Sequence, residues 1–267
     1  FDRDLVRAAD GIFVMSPHER VILERYYLYP DFNIFTVPYG IDPGDLSPRE
    51  KSLELKSEMK IPEDAKVALT ISDMNESEAM GALLEAFEKV AIKNQRARLV
   101  IIGSGPKMRE IEYKMLSLAL GGRVILTGAL SESQTHDLIG LTDIFVELSP
   151  RTTGFEPAVL QAMAQKKVVI SSEVSPLASL IEDGIDGFLV RPADTKSITH
   201  LMLEIFSEQV AVKEIADHAR RKITNLFESQ KMVDQTLTSY FSILKRNKTY
   251  IIKKQDLNVS KKPDLNC

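Results

Sequence analysis

Short apolar runs alternate along this chain with stretches of helical periodicity, and no other feature narrows the fold as much. Runs such as Leu99-Val100-Ile101-Ile102 leave no polar face. A strand of that kind is covered on both sides, the situation of a parallel sheet between two helical layers. The alternation therefore predicts βα units and an α/β fold with a parallel sheet. Strands are expected at 11–15, 34–38, 66–71, 98–103, 124–127, 144–147, 168–171 and 188–190. Helices are expected near 17–28, 78–94, 106–119, 131–140, 157–165, 176–182 and 195–206, and two longer ones at 208–226 and 229–245 close the pattern.

The 267 residues, 44% hydrophobic and 27% charged, suffice for a full core. A net charge of −4 excludes the basic footprint of a nucleic-acid binder. No apolar run approaches the ~20 residues that span a bilayer, and no secretory signal is expected. The single cysteine, Cys267, rules out an internal disulfide framework and points to a reducing, cytoplasmic location. Because Phe1 already stands in a helical pattern, we expect the chain to be a fragment lacking an N-terminal part. Within it, 1–65 reads as an N-terminal segment and linker packing on the main domain. The stretch 42–65, with Pro43, Gly44, Pro48 and Pro62, is the linker itself. Residues 66–228 form the main α/β unit and 229–245 a C-terminal helix. The tail 246–267 carries Lys248, Lys253, Lys254, Lys261 and Lys262 with little apolar periodicity, and reads as mobile.

Three stretches hold chemistry at strand-to-helix junctions. Residues 149–156 form a polar loop that feeds a helix for which Pro157 is a good start. Such a junction offers outward N–H groups to an anion, yet Glu156 stands where those donors point. Gly103-Ser104-Gly105-Pro106 follows a strand and precedes a helix; it reads either as a plain tight turn or as a ligand-facing one, and the six-residue dinucleotide fingerprint is not completed. Ser72-Asp73-Met74-Asn75-Glu76-Ser77-Glu78 sits at the carboxyl end of the main sheet's first strand, the edge where open α/β sheets bind ligands. The plain alternative is an acidic helix start, with Asp73 or Asn75 as cap and Glu76 and Glu78 favoured by the dipole. His18, His136, His200 and His218 are dispersed in helical patterns without a nucleophile or metal-ligand spacing. Glu182-Asp183-Gly184-Ile185-Asp186-Gly187-Phe188 is read as architecture, its two glycines serving left-handed or hairpin-like geometry.

Six phrases in this order carry a resemblance. They are Val37-Pro38-Tyr39-Gly40-Ile41-Asp42, Leu83-Leu84-Glu85-Ala86-Phe87, Val100-Ile101-Ile102-Gly103-Ser104-Gly105-Pro106 and Leu141-Thr142-Asp143-Ile144-Phe145-Val146. Gly154-Phe155-Glu156-Pro157-Ala158-Val159-Leu160-Gln161-Ala162-Met163-Ala164 and Ile181-Glu182-Asp183-Gly184-Ile185-Asp186-Gly187-Phe188-Leu189-Val190 complete the set. Over roughly 1–244 the chain resembles the C-terminal domain of GT-B glycosyltransferases, in the retaining family called group 1 or family four. The resemblance implies a Rossmann-like half that binds a nucleotide-sugar donor. It also implies an absent N-terminal GT-B domain for a glycan, lipid or protein acceptor, with the last helix crossing back to it. Gly103, Gly105, Thr153, Gly154, Phe155, Glu156 and Gln161 would line the donor cleft.

Family members carry an arginine at the end of the first strand and a lysine five residues on, which grip the donor diphosphate, and two glutamates seven residues apart. At the corresponding positions this chain has Asp73, Glu78, Thr153 and Gln161, and Glu156 replaces a glycine. Gln161 retains the capacity to hydrogen-bond a ribose hydroxyl. Two cations exchanged for two anions move the local charge by four units, each pair worth roughly 3 kcal/mol at ~6 Å and an effective dielectric of about 20. Two readings follow: a sugar transferase using a nucleotide-sugar donor without a resident cofactor, and a catalytically degenerate homologue serving as a binding or partner subunit. A magnesium ion bridging Asp73, Glu78 and the diphosphate is a minor third.

Overall fold

The computed structural model describes residues 2–37, 39–42, 47–149, 156–174, 177–208 and 211–259, with Leu177 and residues 247–259 described by backbone alone. It divides into two units, one made of residues 1–40 and 229–267, the other of residues 41–228.

The larger unit is a six-stranded, all-parallel sheet. Its strands are β3 (Lys66–Ile71), β4 (Ala97–Ile102), β5 (Val124–Gly128), β6 (Ile144–Glu147), β7 (Val168–Ser172) and β8 (Phe188–Val190), in the order β5-β4-β3-β6-β7-β8. This is the doubly wound order of a Rossmann-like fold, in which the winding reverses between the first strand and the fourth, here β3 and β6. The uninterrupted apolar runs are buried as expected: Val67 to Leu69, Leu99 to Ile102, Ile144 to Val146 and Val168 to Ile170 are each at most 3% exposed.

Helices cover both faces. One layer holds α4 (Glu78–Lys93), α5 (Met108–Ser117) and α9 (Thr195–Phe206); the other holds α6 (Glu132–Leu141), α7 (Ala158–Ala164) and α10 (Val212–Leu226). Short α3 (Leu53–Glu58) and α8 (Leu177–Leu180) complete the unit. Local chemistry sets the ends. Ser131 and Gln134 form a capping box at α6, and Asp194 accepts from the Lys196 and Ser197 N–H groups at α9. Buried Ile215, Ala216, Ala219 and Ile223 give α10 the single apolar stripe of a covering helix.

The expected linker at 42–65 belongs to the larger unit and contains α3. Charged side chains tether it to the amino edge of the sheet, a mechanism that apolar patterning does not register. Lys51 pairs with Asp143 at 2.6 Å, while the other oxygen of Asp143 accepts from Val67 N–H at 2.8 Å. Buried Lys56 donates to the carbonyls of Glu63 and Ala65, and Arg49 pairs with Asp137 at 2.6 Å. In the loop before β8, Gly184 adopts φ 74 as expected. Gly187 does not take left-handed geometry; it is needed because a Cβ there would lie 2.9 Å from Ile181 and 3.1 Å from the Val169 carbonyl.

The smaller unit contains α1 (Arg3–Ala8), β1 (Ile12–Val14), α2 (Pro17–Tyr26), β2 (Ile34–Thr36) and α11 (Ser229–Val259). β1 and β2 pair in parallel over a small core of Val6, Val14, Leu23, Tyr29 and Ile34. The last helix does not stop at 245: it continues to Val259, through most of the expected tail. Its continuation past 245 has an anchor that is not apolar. The Arg246 guanidinium lies 5.5 Å from the Phe32 ring centroid and 6.0 Å from that of Phe35, and bonds Asn33 Oδ1 at 2.9 Å.

At the amino edge, Lys167 is 8% exposed and donates to the Gly140 carbonyl at 2.7 Å. Burial, and next the neighbouring Lys51 charge, push its ammonium down to about 8 against 10.5 for a free lysine. A folded value below the unfolded one means that the folded chain binds fewer protons between those two pH values. The charged form therefore costs stability in full below pH 8, and the cost is relieved as pH rises to 10.5. Relative to a Lys167→Met variant, the wild-type protein should gain about 3 kcal/mol over that window, at ~1.4 kcal/mol per unit. Urea melts of both proteins at stepped pH check this; parallel profiles would contradict it.

Candidate functional site

The reversal of winding between β3 and β6 opens a crevice at the carboxyl ends of those strands, the place where open α/β sheets receive ligands. Thr70, Ser72, Asp73, Glu76, Glu147 and Ser149 are among the residues lining it.

The β3–α4 loop forms one wall and is stiffly built. Ser72 Oγ accepts from Met74 N–H at 3.0 Å, and Asp73 Oδ1 accepts from Asn75 N–H at 3.2 Å. Met74 is fully buried in the main core and holds φ 49, an uncommon conformation for a residue with a bulky side chain. Neither Asp73 nor Asn75 caps α4. The N-cap is Ser77, which makes no side-chain capping bond, and its hydroxyl instead bonds Glu110. The Glu110 carboxyl is held below its usual range first by Lys107 and then by that hydroxyl.

Gly103-Ser104-Gly105-Pro106 joins β4 to α5, and its glycines face protein backbone. Gly103 has φ 127, and a Cβ there would stand 1.8 Å from the Ser72 carbonyl oxygen. At Gly105 a Cβ would stand 2.0 Å from the Asp73 carbonyl oxygen. Lys107 N–H bonds the Met74 carbonyl at 2.9 Å, so the turn and the β3–α4 loop are in close backbone contact.

The opposite wall includes Glu147, which the reading of the sequence passed over. It is 3% exposed and accepts from Ser149 N–H at 2.8 Å. One signal was available: a carboxylate ends the apolar run Ile144-Phe145-Val146 at a strand's carboxyl end. Beyond the loop, Pro157 is the N-cap of α7, one residue outside the helix. The Glu156 carboxylate reaches Ala158 N–H at 3.5 Å, the long limit of a hydrogen bond. Gln161 is half-buried on α7. Thr153, Gly154 and Phe155 lie outside the described residues.

Asp73 and Glu78 are both exposed. With water around them, each charge pair with a ligand at ~6 Å falls below about 1 kcal/mol, well under the figure for a shielded site. Among the described residues, no group of three or more His, Cys, Asp or Glu side chains is placed to hold a metal ion. A larger groove of about 460 Å³ lies between α4 and α5, lined by Glu85, Glu110, Tyr113 and Lys114 among others. Glu78 lines this groove and not the crevice. The groove's other charged side chains are matched, Lys114 with Glu85 and Glu110 with Lys107, both at 2.5 Å. The crevice at the reversal point is therefore the better candidate.

A doubly wound parallel sheet with a crevice at its winding reversal is the Rossmann-like class of α/β fold. The family described as "Glycosyl transferases group 1" matches residues 52–223, and the chain belongs to that family. Its fold is that of the C-terminal domain of GT-B glycosyltransferases. N-acetyl-alpha-D-glucosaminyl L-malate synthase of Bacillus anthracis is 25% identical over 92% of this chain and 61% of its own length. Alpha-monoglucosyldiacylglycerol synthase of Streptococcus pneumoniae is 26% identical over 70% of this chain and 43% of its own. The chain thus spans under two thirds of these relatives. Among solved structures, HepE of Anabaena in complex with UDP and glucose superposes with a TM-score of 0.80 at 15% identity, covering 91% of this chain and 68% of that one. The C-terminal domain of the group 1 protein LpcC of Francisella tularensis does so with 0.63 at 22% identity, covering 71% of this chain and all of that one. Among the described residues no helix is long and apolar enough to cross a membrane.

Proposed function

We propose that this chain is the donor half of a glycosyltransferase that moves a sugar, with retention, from a nucleotide-sugar to a glycan, lipid or protein acceptor. The observation that carries the reading is the crevice at the carboxyl ends of β3 and β6, in a chain of the group 1 family. The name of one relative states synthesis of a glucosaminyl malate and that of another synthesis of a glucosyl lipid, and HepE was solved with UDP and glucose. Gln161 and the 153–156 stretch would meet the donor, and a preceding domain would bring the acceptor. A two-stranded sheet such as β1–β2 is marginal by itself, which supports the view that another part of the protein completes that unit. The lone Cys267 supports a reducing, cytoplasmic location.

A second reading, a catalytically degenerate partner subunit, is favoured by the carboxylates at the crevice. Asp73 and Glu78 stand where the family has its diphosphate-gripping cations, and the Asp73 carboxylate already occupies the Asn75 N–H. An arriving diphosphate would meet anions at positions where the family presents donors and cations.

Calorimetric titration of UDP, GDP and ADP, with and without magnesium, separates these readings. Micromolar binding without magnesium supports the transferase. Binding only with magnesium assigns Asp73 and Glu78 a metal-holding role, and no binding, repeated on the full-length protein, leaves the partner subunit. The double variant Asp73→Arg with Glu78→Lys should tighten binding of the best nucleotide by roughly ten- to a hundredfold, given screened pairs of up to about 1 kcal/mol each. Unchanged affinity would count against the placement of these two residues opposite the diphosphate.

A further inference from the structure

Asp73 is carried on a loop whose position is fixed from three directions. Its next residue, Met74, is buried in the main core with a left-handed backbone. The Met74 carbonyl is held by the Lys107 N–H. Under the loop, the carbonyls of Ser72 and Asp73 lie so close to Gly103 and Gly105 that a Cβ on either glycine would fall within 2.0 Å of a carbonyl oxygen. Contact of that kind between two backbones is available only to glycine.

We propose that Gly103 and Gly105 are positioning residues: the β4–α5 turn sets the place of the β3–α4 loop, and through it the ligand affinity of the crevice. Direct ligand contact by either glycine is not required. The part concerning ligand affinity rests on the donor-site reading; the part concerning loop position does not. Gly105 is the better probe, because Gly103 has φ 127 and any side chain there is strained by its backbone as well. Gly105 lacks that conformation, so alanine tests the close approach alone. Gly121→Ala is the matched control, with nothing within 4 Å of its Cβ.

Two measurements decide the proposal. In the wild-type protein, native-state hydrogen exchange across a urea series should give the hydrogen-bonded amides of Met74, Asn75, Gly103 and Lys107 one common opening transition, as expected of a single cooperative unit. Separate transitions would overturn it, with no variant needed. In Gly105→Ala, exchange at 73–77 should rise tenfold or more while β7 keeps its protection, and UDP affinity should fall about tenfold. Gly121→Ala should change neither. Wild-type exchange in the loop of Gly105→Ala, or unchanged UDP affinity despite a loosened loop, would refute the role. If the wild-type protein binds no UDP, the donor-site reading fails, and the exchange results still decide whether the turn sets the loop.

Discussion

Burial of the parallel sheet on both faces is the constraint from which the rest of the larger unit follows. A strand such as β6, with Ile144 to Val146 unexposed, has no face on which to keep a polar group. Polar chemistry is displaced to the two edges of the sheet, where strands give way to loops. The edges then take different work. At the amino edge, Lys51, Asp143 and Lys56 tie the preceding segment down by an ion pair and lysine-to-carbonyl bonds, and Lys167 holds the end of α6 through the Gly140 carbonyl. At the carboxyl edge a crevice opens, because the winding reverses between β3 and β6.

Periodicity made the sheet legible because the same burial writes itself into composition. The bounds of β3, β6, β8 and α9 follow directly from apolar runs and turn residues. Most of the family phrases were legible for a related reason, since they mark junctions between strands and helices; Leu83 to Phe87 is instead the buried face of α4. Less was visible where position depends on a distant partner. Arg246 extends the last helix by meeting Phe32, Phe35 and Asn33, more than two hundred residues earlier in the chain. Nothing in the local sequence marks Lys56 and Lys167 as buried, because their carbonyl acceptors, Glu63 and Ala65 for one and Gly140 for the other, come from elsewhere in the chain. Ser77, not Asp73 or Asn75, holds the N-cap position of α4, and local sequence does not show that its hydroxyl is committed to Glu110 on another helix instead of capping.

The glycines of the β4–α5 turn show the same limit from the other side. Strand, Gly-x-Gly and helix are compatible with a phosphate cradle and with a plain turn, and local sequence does not separate them. What separates them is the carbonyl of Ser72 against Gly103 and that of Asp73 against Gly105, contacts made across some thirty residues of chain. The missing side chains make room for backbone, so ligand binding is not needed to explain why glycine stands there.

Charge at the crevice is governed by exposure as much as by sign. A carboxylate at Asp73 or Glu78 sits in water, where its repulsion of a phosphate is worth a fraction of its value in a closed site. In GT-B folds closed by a second domain, the same carboxylates would lie in a drier cleft, and each pair would strengthen as water left. On the proposed donor-site reading, the opposition of Asp73 and Glu78 to an anion grows as such a cleft closes. Glu147, already 3% exposed, gains little from further exclusion of water. On the same reading, a domain with these side chains tolerates a nucleotide best while water still surrounds them.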